Sequence, residues 1–93
     1  MNAFTIVSSA SHALTGTAYS LPADPTQTRL VRVYGSVNFH VRTDGGDATA
    51  DDMPVSAGLN GILLNVPPGG SISVVKMTGV SDGTAWFGHV KRT

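Results

Sequence analysis

The run Val37-Asn38-Phe39-His40-Val41-Arg42 alternates apolar and polar residues without a break. A period of two is the signature of a strand with one buried and one exposed face. Val37, Phe39 and Val41 are expected to face a core, and Asn38, His40 and Arg42 water or a partner. The same reading extends along the chain. Phe4–Val7, Arg29–Tyr34, Asn60–Val66, Ser71–Met77 and Thr84–Lys91 are short β-rich runs, and Ala13–Leu21 is a weaker one closed by Pro22. Between them lie turn formers: Asp24-Pro25 within Ala23–Gln27, Gly35-Ser36, Pro67-Pro68-Gly69-Gly70 and Asp82-Gly83. The nearest helix candidate, Ser8–Leu14, is short and serine-rich.

All six acids are aspartate, and the only lysines are Lys76 and Lys91, so strong helix formers are scarce. Valine, threonine, serine and glycine suit strands and turns. The expected fold is all-β: a small antiparallel β-sandwich, jelly-roll-like, of six to eight short strands. The 93 residues make one domain, 1–93, in which 1–12 can serve as an extended N-terminal arm.

Charge narrows the function classes. Six basic and six acidic residues cancel, so the excess of positive charge that phosphate binding needs is missing. Charged residues are 13% of the chain, about half the usual share, and a lightly charged surface favours association. There is no cysteine, which excludes disulfides, thiolate metal sites and cysteine nucleophiles. The first residues lack a basic segment followed by an apolar core, so they do not read as a secretion signal. No apolar run is long enough to span a bilayer.

The stretch from Val41 to Gly58, VRTDGGDATADDMPVSAG, is the one that resembles chemistry. Asp44, Asp47, Asp51 and Asp52 could supply oxygens to calcium, but the EF-hand spacing and its closing glutamate are absent. Asp51 and Asp52 would point apart on an extended segment, unlike a hydrolytic pair. Aspartate and glycine are also ordinary turn formers, and that is the reading adopted. His12, His40 and His89 have no metal-pair spacing, and neither a nucleophile elbow nor a phosphate loop occurs. No catalytic residue, metal or cofactor is assigned.

Trp86 and Phe87 are adjacent in a strand and must face opposite sides. Trp86 shares its side with Gly88 and Val90, which suits a core, so Phe87 is expected to point outward to a partner. With it, His40, Arg42, Asp51 and Asp52 form the expected contact set.

From Val31 onward the chain carries V-R-V, then G-D-A-T-A, M-P-V-S-A-G, P-P-G-G, S-I-S-V-V-K-M, G-V-S-D-G and T-A-W-F-G-H-V. This series resembles small virion proteins of tailed bacteriophages, of the capsid decoration or cement type. The resemblance implies a structural, non-enzymatic protein that bridges capsid subunits, with the major capsid protein and further copies of itself as partners. It implies no specific nucleic acid or membrane partner, and a homo-oligomer or symmetric lattice on the particle. The protein would be made in the bacterial host cytoplasm and reside on the virion. A phage tail adaptor or fibre-associated module is an alternative. So is a carbohydrate-binding β-sandwich using Trp86 or Tyr34 as a stacking platform.

Overall fold

The structure, a computed structural model, describes residues 4–21, 28–58 and 61–92. It contains eight strands and, among these residues, no helix: β1 Phe4–Leu14, β2 Tyr19–Leu21, β3 Arg29–Gly35, β4 Phe39–Arg42, β5 Met53–Val55, β6 Ile62–Val66, β7 Ile72–Lys76 and β8 Gly83–Arg92. They form two four-stranded antiparallel sheets, ordered β1-β8-β3-β6 and β2-β7-β4-β5. The expected all-β sandwich is therefore the observed fold. The expected turn at Asp24-Pro25 lies outside the described residues.

A single pairing rule generates this order. β1 pairs with β8, β2 with β7, β3 with β6 and β4 with β5, as if one long hairpin were bent double. Two further pairings, β3 with β8 and β4 with β7, join the four ribbons into two sheets. That wrapping is the eight-stranded jelly roll. The shortest extent of the molecule, 19 Å, matches two sheets about 10 Å apart with their outward side chains.

Most of the strand positions expected from the sequence hold, with these differences. Ala13–Leu21, expected as one strand, is interrupted at Thr15–Ala18, between the end of β1 and β2. Ser8–Leu14, a helix candidate too poor to be expected as one, is strand. It continues β1, pairing residue for residue from Ser8 opposite His89 to Leu14 opposite Gly83, after a bulge between Ile6 and Ser8. Serine and alanine have weak preferences of their own, and the pairing with β8 decides their conformation. Consequently the described part of the expected arm, Phe4–His12, is not free but lies along the molecule's own sheet. A last difference is β5, a three-residue strand inside the aspartate-rich stretch.

The core lies between the sheets. β3 shows the alternation that creates it, with Val31 and Val33 fully buried and Arg32 and Tyr34 half-exposed. Phe39, Phe87, Leu14 and Ile72 are the largest fully buried side chains. Phe87 packs edge-on to His12 and tilted against Tyr19, with ring centroids 5.9 and 5.8 Å away. Tyr19 and His12 stack at 4.0 Å, and the Tyr19 hydroxyl lies 2.9 Å from His12 Nε2. These rings close the β1–β2 side of the sandwich.

Phe87 was expected to face outward, and this is corrected: it is 0% exposed, while Trp86 is on the outer face. The reason is register. Phe87 stands opposite Val33 and Trp86 opposite Tyr34, so the buried valine face of β3 takes Phe87 with it.

Close packing also fixes one glycine. Gly61 has φ +55°, and a Cβ there would collide with the Val33 carbonyl and the Tyr34 side chain as the chain enters β6.

Because Phe87 fills the centre of the core, Phe87→Ala should destabilise the domain by about 3–5 kcal/mol. That is a large part of the roughly 5–15 kcal/mol a domain holds in total. Thermal unfolding followed by circular dichroism should show a melting transition lowered by at least ten degrees or lost, whereas Trp86→Ala should fall by far less.

Candidate partner surface

The two outer faces of the sandwich differ. Over the sheet β2-β7-β4-β5, the connection from β4 to β5 folds back across its own strands. Arg42 anchors its start: Nε and Nη2 donate to the two Asp44 carboxylate oxygens at 2.6 and 2.9 Å. The Gly46 amide also donates to Asp44, at 3.0 Å. Further on, Asp47 reaches Ser20 of β2 at 3.5 Å, and the Ala48 amide donates to Ser73 Oγ of β7 at 2.8 Å. The return leg is capped by Asp52, whose carboxylate accepts from the Thr49 amide at 2.7 Å. His40 Nδ1 lies 3.0 Å from the Asp52 carbonyl. Ser73 is fully buried, and His40 is only 7% exposed.

The aspartate-rich stretch is thus a strap that covers one face. His40, expected to face water or a partner, is instead beneath it; the alternation placed it correctly on the outer side, and the strap then buried that side. Arg42 and Asp52 hold the strap's two ends, while Asp51 is exposed on it. Of the expected contact set, His40, Arg42 and Asp52 are brought together here, Asp51 sits nearby, and Phe87 is inside the core. Among the described residues no three His, Asp or Glu side chains gather as a metal site would require. Between the strap and the β7–β8 turn runs a groove of about 470 Å³ lined by Ala48, Thr49, Ala50, Lys76, Thr78 and Gly79, with Gly16 and Val75. Lys76 is already engaged there, with Asp82 at 2.9 Å and the Val80 carbonyl at 2.8 Å.

The other outer face, of sheet β1-β8-β3-β6, has no strap among the described residues. Tyr34 and Trp86 stand side by side on adjacent strands with ring centroids 5.3 Å apart and planes 20° from parallel. Arg32 lies one step along, opposite Gly88, and Leu63 of β6 is 37% exposed beside it. Farther down, Leu30, Val90, Asn65 and Thr28 line a shallow recess of about 320 Å³. A ring pair, aliphatic residues and a recess on one open face make a surface that can pack against a flat partner. Tyr34 and Trp86, named only as the stacking platform of the carbohydrate alternative, are absent from the expected contact set because alternation shows that Trp86 and Phe87 face opposite sides but not which is inside. Arg32 carries the missing signal: it sits between two buried valines, so its neighbours across the sheet face outward.

Electrostatics add little at this surface. The Arg42 guanidinium and the Gly46 amide hold the exposed Asp44 carboxyl down at about 2, below its ordinary range. Near the opposite end of the strands, burial and the neighbouring Arg29 guanidinium push His89 below its ordinary value. Arg29 itself donates to the Gly70 carbonyl at 3.0 Å.

No family model matches this chain, and no curated protein or solved structure matches it.

The His89 shift has a pH consequence. Its folded pKa lies below its unfolded one, so on acidification the unfolded chain takes up the proton first. Stability is then greatest above about pH 6.5 and declines as pH falls through the lowered folded value. Thermal melts between about pH 8 and pH 5 should show this decline, and His89→Gln should flatten it. Asp44 titrates well below that window.

Proposed function

We propose that this chain is a non-catalytic structural virion protein that attaches to a tailed-phage capsid through the open face bearing Tyr34 and Trp86. The observation that carries the reading is the asymmetry of the two faces: one is covered by the chain's own strap, the other presents a stacked aromatic pair flanked by Arg32 and Leu63. Aromatic side chains with an arginine are the types most often responsible for binding energy at protein interfaces. The resemblance of the Val31–Val90 motifs to capsid decoration proteins supplies the setting. A chain with no net charge and few charged residues is compatible with it. Each copy would bridge neighbouring capsid subunits through modest contacts, which repetition over the particle turns into firm attachment.

A second reading is favoured by the same ring pair: Trp86 and Tyr34 as a platform for the apolar face of a sugar ring.

Particles carrying Trp86→Ser should lose most of the protein on gradient purification, while the isolated variant melts near the wild-type temperature. Losing an aromatic anchor at the centre of an interface costs about 2 kcal/mol or more, roughly a thirtyfold loss of affinity per contact. Full occupancy of Trp86→Ser particles would refute docking through this face. Quenching of Trp86 fluorescence by oligosaccharides, without capsid binding, would favour the sugar reading.

A further inference from the structure

A sandwich of two sheets has four edges, and here they are not alike. β2 is three residues long and is followed by Pro22. β5 is three residues long and contains Pro54. β6 has five residues and runs into Pro67-Pro68. Shortness and proline are the devices by which natural sheets keep their edges from pairing with other chains. β1 has neither. It is eleven residues long, with no proline, lysine, arginine or acid from Phe4 to Leu14. β8 occupies one side of it, and among the described residues no strand occupies the other. Its one irregularity is the bulge between Ile6 and Ser8, which leaves Ser8–Leu14 as an uninterrupted edge.

We propose that two copies of the chain pair along β1, antiparallel, about a two-fold axis perpendicular to the sheet. The occupant is a second copy because the edge is self-complementary. Full overlap of Ser8–Leu14 with itself places Ser11 opposite Ser11 of the second copy, Ala10 opposite His12, and Ser8 opposite Leu14. Ala10, Ser11 and Ala13 are exposed and small, so the two backbones can approach to the strand spacing of about 4.8 Å. With a net charge of zero, no long-range repulsion opposes the approach.

The pairing has a geometric product. It joins the two sheets β1-β8-β3-β6 into one sheet of eight strands, and the perpendicular two-fold keeps both outer faces on the same side. Trp86 stands opposite Ser11 on β8. The two Trp86 residues are therefore three strand spacings apart, about 14 Å. The dimer presents two Tyr34–Trp86 pairs to one side. The inference does not rest on what docks there.

The test uses the full chain, which has no native cysteine. Sedimentation velocity over a concentration series should show a monomer–dimer equilibrium. Ser11→Cys should form a disulfide-linked dimer under mild oxidation, because paired positions across antiparallel strands lie within disulfide reach, at about 4.5–5.5 Å between Cα atoms. Thr78→Cys, exposed on the β7–β8 turn, should crosslink far more slowly. Ser11→Lys, which sets two ammonium groups face to face at the axis, should shift the equilibrium to monomer without lowering the melting temperature of dilute protein. A monomer at every concentration overturns the proposal. So does a dimer in which Ser11→Cys crosslinks no faster than Thr78→Cys, or one that Ser11→Lys leaves intact, since its interface would lie elsewhere. Loss of capsid attachment in Trp86→Ser with dimerisation unchanged would separate this edge from the open face.

Discussion

Everything in this fold depends on the pairing of its two chain ends. β8 is an interior strand of its sheet, between β1 and β3, and it contributes Phe87 to the centre of the core. Until β8 is in place, β1 has no partner, β3 has only β6, and the aromatic group at the β1–β2 side lacks its middle ring. The nested pairing makes most contacts distant in sequence, so loop-closure entropy must be met before most native contacts can form. A jelly roll of this size is therefore expected to fold late and cooperatively, with its first and last strands joining in one step.

The local parts of this plan were legible, and the non-local parts were not. The alternation in Val37–Arg42 marks β4 and its inner face, and Val31 and Val33 mark β3, because strand sterics write a period of two into any half-buried strand. β5 escaped notice because three residues including Pro54 carry no period. The second half of β1 carried no clear strand signal because serine and alanine follow whatever their neighbour imposes. Trp86 and Phe87 were placed on opposite faces correctly but assigned the wrong way round. Side-chain size argued for Trp86 inside; the register of β8 on β3, which no single strand reveals, argued for Phe87. His40 shows the same limit in another form. Its outward direction was legible, but the strap that covers it comes from residues later in the chain.

The strap explains why the aspartates cluster without forming a ligand set. A connection that crosses three strands must turn repeatedly and satisfy its own backbone amides. Asp44 accepts from Gly46 in an Asx turn, and Asp52 accepts from Thr49 three residues earlier; both bonds hold turns together. Arg42 then neutralises Asp44 at the strap's entry. An exposed pair of this kind contributes little stability by itself. It ties the start of the strap to the end of β4. With Asp44 and Asp52 committed to the strap on one side, the opposite outer face carries Tyr34, Trp86 and the aliphatic residues around them.

That division gives the two surface features complementary roles. A face with one aromatic pair offers a modest contact, enough for specificity and too small for firm retention alone. Pairing along β1, as proposed, would double the face without adding a residue. The proposed two-fold would also fix where a partner must carry matching sites: on one side, about 14 Å apart. A partner with two such sites at that spacing holds the dimer by the product of two weak contacts, since the second forms at the high effective concentration set by the first. A partner offering a single site is held no better than by one copy. Such a dimer would therefore discriminate between repeated and isolated surfaces.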